Sequence, residues 1–332
     1  MSTTHLPDST SSLRDQSTRL KIFGVFQIFL GCACLFIAFI SVIMMMLPAN
    51  VPTGQNMGVK FMIPGIFIYI GFAVCFIWLG IGSIIARRWA WALTVILSWL
   101  WFIVGIAMII PIGFVMSKSM ENSQHVKMSS SSILVMQIFT GAILFVIYIL
   151  LPGLFLLFYN RASVRATCQQ RDQKFRWTDR CPLPVLALSV IMAYSAFSML
   201  MMGFNNFVIC LFGVFISGLW GAVFSLLMME LLICLAFGTY KLKMAAWWGT
   251  LLLWLAGSIN MFVISSRGNM MEMYEKMGYS EQQMEMIRKL WDNGGFSIMM
   301  IWMAAIFGVA ALGYLLYVRR YFVHNKQNVC SQ

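Results

Sequence analysis

Long apolar runs free of charge, broken by short polar punctuation, dominate this chain. No acidic or basic residue lies between Lys21 and Lys60, Lys60 and Arg87, Arg88 and Lys118, or Lys127 and Arg161. The same holds between Arg180 and Glu230, Lys243 and Arg267, and Asp292 and Arg319. A helix needs about 20 apolar residues to cross a hydrocarbon layer of about 30 Å. The run from Arg180 is long enough for two crossings, and the others suit one each. Pro48, Asn50, Pro52 and Gly54 end the first span. The Gly203-Phe204-Asn205-Asn206 step divides the long run, because an Asn pair suits a tight turn better than a lipid-facing helix. The pattern predicts eight helices, over 20–47, 61–86, 90–116, 133–159, 184–204, 207–240, 245–265 and 297–318. The sixth is too long for one crossing at 1.5 Å per residue. It must tilt, break near Gly218 and Gly221, or lie partly in the interface.

Composition agrees with lipid as the solvent. The 332 residues are 61% hydrophobic and 10% charged, against about 45–50% and about 25% in soluble domains. The expected fold is an all-α integral membrane protein, an eight-helix transmembrane bundle in two parallel four-helix repeats. Residues 1–19 read as a disordered cytoplasmic tail, 20–159 as the first half and 160–183 as a basic cytoplasmic linker. The second half is 184–318, with an outer amphipathic loop at 267–296, and 319–332 is a second cytoplasmic tail.

The net charge of +12 is mostly a topology signal. With the N-terminus inside and eight crossings, 16 of the 23 Lys and Arg fall on inner segments. Seven lie outside: Lys60, Lys118, Lys127, Arg267, Lys276, Arg288 and Lys289. This positive-inside bias puts both termini in the cytoplasm, and a bacterial inner (plasma) membrane is the expected location. The bilayer itself is the expected partner, with anionic headgroups at the basic inner loops and a homo-oligomer or membrane partner alongside. Nucleic acid is not expected.

Shifting the chain by 156 residues superposes two stretches. Leu79, Gly82, Ala90, Trp91, Thr94 and Leu97 fall on Leu235, Gly238, Ala246, Trp247, Thr250 and Leu253. Ser83 falls on Thr239 and Arg87 on Lys243. Both stretches are inner hairpins, between helices 2 and 3 and helices 6 and 7. Four spans per half make the repeat parallel. Arg87, Arg88, Trp89 and Trp91, with Lys241, Lys243, Trp247 and Trp248, read as membrane-interface anchors.

Lys21 lies at the edge of the first predicted span, and Glu230 is the one acidic residue inside a predicted span. A mid-bilayer charge costs about 2.5–3.5 kcal/mol on insertion scales, so it must face protein or water or hold a proton. It reads as a substrate, cation or proton site, or as a carboxyl that packs helices. Gln137 and Asn260 are further candidates for binding, and Thr140, Ser195, Ser217 and Ser225 are other intramembrane polar groups. Such residues commonly hydrogen-bond between helices. Pro152-Gly153 is expected to kink helix 4. Ser217/Gly221 and Ala304/Gly308 have the small-xxx-small spacing of close helix contacts.

The outer loop holds Met270, Met271, Met273, Met277, Met284 and Met286. Thioethers bind Cu(I), but methionine is spread through the whole chain and fills irregular gaps. No metal is therefore expected, and no cofactor. The loop reads as two amphipathic helices, the first stopped by Gly278 and the second opened by a Ser280/Gln283 capping box. The eight cysteines form no disulfide or zinc spacing, and the three histidines lie outside the spans. Nothing points to an enzyme. The expected function is a small-solute transporter or permease-like protein, and the alternative is a non-catalytic membrane scaffold or regulatory subunit of a membrane complex.

Overall fold

The computed structural model describes residues 15–46, 59–122, 130–267, 270–279 and 295–330, with a few between 281 and 288. The chain is an all-α integral membrane protein, and among the described residues eight helices are long and apolar enough to cross a membrane. The first half contains α1 (Ser17–Met46), α2 (Val59–Ile84) and α3 (Arg88–Asn122). Its fourth span is α4 (Ser130–Phe145), a π turn (Val146–Leu150) and α5 (Leu151–Tyr159). The linker folds as α6 (Ala162–Arg171) and a 3-10 turn (Trp177–Asp179). The second half contains α7 (Leu183–Met201), α8 (Gly218–Tyr240), α9 (Met244–Arg267), the short α10 (Met270–Met277) and α11 (Gly295–Cys330). Large apolar side chains such as Phe29, Leu157 and Val309 point outward, 67%, 70% and 73% exposed. That surface would oppose solution in water, and it matches hydrocarbon.

Hydrocarbon gives helices no hydrophobic reason to associate, so close backbone contact must hold them. The α1–α2 hairpin shows how. Gly24 and Gly31 on α1 face Gly80 and Ala73 on α2, both pairs spaced by seven residues. A Cβ added to Gly24 would meet the Gly80 carbonyl oxygen at 2.7 Å, and one added to Gly80 would meet that of Gly24 at the same distance. The sequence reading passed over this seam because it sought spacings of four. Of the pairs it chose, Gly308 touches Trp254, and Gly221 abuts the Phe207 carbonyl.

The expected kink in the fourth span is a π turn, and its cause is chemical. Pro152 has no N–H to donate to Tyr148, four residues earlier, and its ring crowds that carbonyl. The Tyr148 carbonyl instead lies against Gly105 of α3, where any Cβ would collide with it.

The sixth helix departs from expectation. Residues 207–217 are not helical. Asn206 and Phe207 adopt left-handed conformations, and a two-stranded hairpin follows, β1 (Ile209–Leu211) against β2 (Val214–Ile216). Gly218, at φ +64°, then starts α8. The break near Gly218 shortens the helix to 23 residues, about one membrane thickness. The last span runs the other way: the stretch after 318 remains helical to Cys330.

The start of α1, the linker, both basic turns and the Val318–Phe322 stretch of α11 meet at one end of the bundle, called here the inner end. Leu20, Ala86, Phe158, Tyr159, Val164 and Cys168 form one core there. Val185, Leu188, Trp247, Leu315, Val318 and Phe322 form a second. The two basic turns share their geometry at an interval of 156 residues. Ala86 and Leu242 both take the left-handed conformation at φ 55°. Arg87 N–H donates to Gly82 O and Ala86 N–H to Ser83 O, while Lys243 N–H donates to Gly238 O and Leu242 N–H to Thr239 O. These are the paired bonds of a Schellman helix end. The Trp91 indole donates to Tyr159 O at 2.8 Å and the Trp247 indole to Leu315 O at 2.9 Å. An arginine lies 5.4 Å over each ring, Arg165 over Trp91 and Arg319 over Trp247.

The glycine seam gives a test. Gly80→Val should lower the stability of the detergent-purified protein by about 1–3 kcal/mol through overpacking. Gly257→Ala, where an added Cβ has nothing within 4 Å, should leave the thermal midpoint unchanged or slightly raised.

Candidate functional site

Glu230 sits near the middle of α8, about 15 Å along the helix from its inner end at Tyr240. Its placement follows from the two faces of α8. Gly221, Ser225, Leu232, Leu235, Ala236, Gly238 and Thr239 are buried against the bundle. Small side chains allow this close approach, and Ser189 Oγ of α7 donates to Ala236 O at 2.7 Å. Glu230 lies on the opposite face and is exposed, between Leu227 and Cys234, which are exposed as well. Among the described residues no hydrogen bond or ion pair reaches its carboxyl. Among the described residues one open groove is lined by Phe215, Ser217, Trp220 and Phe224, and another by Ser131, Val135 and Phe139. Neither includes Glu230. Where the halves meet, Ala92, Ile96, Cys181 and Leu186 are buried together.

Asn260 serves the hairpin. Its Nδ2 donates to Cys210 O at 2.8 Å, and its Oδ1 accepts from the Phe212 N–H at 2.6 Å. One side chain thus pairs an N–H of the turn and a carbonyl of β1. Gln137 is half-buried on α4, in the other half. Among the described residues no hydrogen bond or ion pair joins Glu230 to Asn260. Thr140 Oγ1 donates to Met136 O within its own helix, and Ser195 O accepts from Ser198 Oγ.

Two buried polar groups stand out inside the bundle. Gln27 on α1 is 1% exposed; its Nε2 donates to Thr94 Oγ1 at 3.3 Å, while its Oε1 has no partner among the described residues. Ser225 Oγ is buried in the same condition. Gln27 was not singled out from the sequence, because only the packing of α1 shows that this side chain faces the bundle.

The anchor residues sit at the inner end. Trp89 stacks on Trp78 at 4.4 Å, and Lys241 lies 4.3 Å over Phe237. Trp248 is half exposed, whereas Trp247 is 1% exposed and bonded to protein backbone rather than to headgroups. Lys243 is exposed beside the second turn. Arg87 and Arg88 hold a clasp around Asp172, just after α6. Asp172 is 2% exposed and meets Arg87 at 3.4 Å and Arg176 at 3.2 Å. Its Oδ2 also accepts the Arg88 N–H, at the start of α3, so the linker caps a transmembrane helix. The clasp reaches α1, where Arg171 pairs with Asp15 and the Gln16 N–H donates to Thr167. Burial pushes the Asp172 carboxyl up, but the hydrogen bond from Arg176, the Arg88 N–H and the two arginine charges outweigh it and hold the group below the usual carboxylate range.

Among the described residues no His, Cys, Asp and Glu cluster of metal-binding size exists. Gly278 ends α10 at φ +86°, as the loop pattern predicts. Ser280 and Gln283 of the proposed capping box lie outside the described residues, as does Met286. No protein-family model, no curated protein and no solved structure matches the chain.

Two outcomes follow from the inner end. Asp172→Asn should cost about 1–3 kcal/mol at pH 7, since it strips charged hydrogen bonds. Because the folded carboxyl titrates lower than the unfolded one, its contribution is complete above about pH 3.9 and is lost as pH falls through the folded value. Thermal melts of the two proteins should therefore differ at about pH 4 and above, and converge as pH falls through the lowered folded value. Burial raises the Cys168 thiol to about 12, with the Asp172 charge adding to it, and raises Cys181 to about 11. A maleimide at pH 7.5 should leave both unlabelled in the native protein and label both after denaturation, as read by mass spectrometry.

Proposed function

We propose that this protein is a non-catalytic membrane scaffold or a regulatory subunit of a membrane complex, working by side-to-side association within the bilayer. The observation that carries this reading is the outward position of Glu230. A carboxyl at mid-membrane is costly unless something satisfies it, and this one points away from its own bundle. The packing of Ala92, Ile96, Cys181 and Leu186 where the halves meet favours the same reading.

In this reading the halves are parallel four-helix repeats, supported by the two inner turns with matching bonds. The inner end faces the cytoplasm of a bacterial inner membrane, with both termini there. Exposed Arg161, Arg165, Lys174 and Arg180, next to exposed Phe175 and Trp177, favour contact with anionic headgroups. A second reading, transport of a small solute between the halves, draws support from the same recurrence, since many transporters are built from repeats.

Thiol accessibility separates the two. Glu230→Cys, in a chain otherwise free of cysteine and held in sealed membranes, should resist a water-soluble maleimide added from either side. Labelling from one side, together with solute flux that Glu230→Gln alters, would replace association by transport.

A further inference from the structure

Two routes of the chain bring an arginine to the same place. Trp91 and Trp247 are each the fourth residue of their helix, α3 and α9, about 5 Å inside the inner limit of the span. Each indole N–H donates to a backbone carbonyl of the last span of its half, Tyr159 O or Leu315 O, and each ring carries a guanidinium 5.4 Å from its centre. The routes differ. In the first half the helix ends at Asn160, and Arg165 comes from α6, six residues beyond Tyr159. In the second half α11 continues unbroken, and Arg319 lies four residues beyond Leu315. The tryptophans are 156 residues apart and the arginines 154. What the two halves share is therefore the place of the cation rather than its slot in the sequence.

An arginine held by a ring face still has N–H groups to give. Nothing in the chain takes them: among the described residues no hydrogen bond or ion pair reaches Arg165 or Arg319, and both are exposed. The described carboxylates at this end are already engaged, Asp15 by Arg171, Asp172 by Arg87 and Arg176, and Asp179 by Arg88. The answering anion must come from outside the chain. The height of the two rings selects it, because they sit where helices enter the membrane, at the level of the headgroups. A lipid phosphodiester lies there, carries the opposite charge and presents paired oxygens that match the donor fork of arginine. A zwitterionic headgroup brings its own ammonium, which exposed Arg161, Lys174, Arg180 and Lys243 at the same end disfavour. Resting on the headgroup contact proposed above, we infer that Arg165 on Trp91 and Arg319 on Trp247 are two equivalent seats for the phosphodiester of an anionic phospholipid, one in each half. The tryptophans are positioning residues, which fix each arginine to the end of a span.

The full chain is assembled into nanodiscs of mixed phosphatidylcholine and phosphatidylglycerol and released for native mass spectrometry. Two phosphatidylglycerols should stay on each chain, and phosphatidylcholine should not. Arg165→Gln and Arg319→Gln should each remove one of the two, weakening retention at that seat about tenfold, as for loss of a hydrogen bond between charged groups. The double variant should remove both. Arg161→Gln, Lys174→Gln and Arg180→Gln together leave the two seats in place and should keep both lipids. Arg165→Lys and Arg319→Lys keep the charge without the fork; they should give intermediate retention, and they carry the test if a glutamine variant does not fold. Thermal midpoints in pure phosphatidylcholine address a packing role: glutamine variants that melt lower there yet hold both lipids overturn the seats. Release of the lipids by millimolar inorganic phosphate would assign the seats to a soluble anion and overturn the lipid. If the linker triple variant sheds the lipids while Arg165→Gln and Arg319→Gln keep them, the seats fail and headgroup contact through the linker stands. Equal retention of the two lipids by the unaltered chain overturns both.

Discussion

Lipid cannot hydrogen-bond the backbone, and this constraint governs the bundle. Wherever a helix is interrupted, the released groups must find protein. The Pro152 break turns the Tyr148 carbonyl toward protein, against Gly105, whose missing side chain leaves room for it. The hairpin after α7 presents a turn N–H and a carbonyl of its first strand, and Asn260 takes both. The ends of α2 and α8 fold their last carbonyls into paired turn bonds. Each irregularity thus comes with a compensating contact, and several of those contacts need a glycine or one well-placed polar side chain.

The same constraint explains what was legible in the sequence. Uncharged runs of membrane length marked all eight spans, since charge is the costliest thing to place in hydrocarbon. Their inner boundaries were nearly correct, because Arg87, Arg88, Lys241 and Lys243 mark them. The hairpin at 207–217 was hidden: its residues are apolar, and hydropathy does not distinguish a short strand pair at the membrane edge from a helix. Its signals were Asn206 before it and Gly218 after it. The tight α1–α2 contact was hidden too, because a heptad of small residues resembles ordinary glycine content until the facing helix supplies its partner.

The candidate site was legible by residue type but not by direction. Glu230 stood out as the lone carboxyl in a span, yet only packing determines which way it points. The small residues at 221, 225, 238 and 239 decide this, by turning the other face of α8 to the bundle. Asn260 was visible as a polar residue at depth, whereas its role depends on a loop that was not foreseen. The Asp172 clasp was unreadable, because Arg87 and Arg88 are distant from it along the chain and its acidic member sits in a basic segment.

The clasp has a mechanical consequence. It ties the start of α1, the α2–α3 turn and the linker between the halves into one charged and hydrogen-bonded knot. At the far end, the rings of Phe67 and Phe204 meet across the halves at 5.7 Å. Ring contacts slide at little energetic cost, and buried ion pairs do not. Displacement of one half relative to the other would therefore hinge at this knot and spread at the opposite surface, like a book held by its spine.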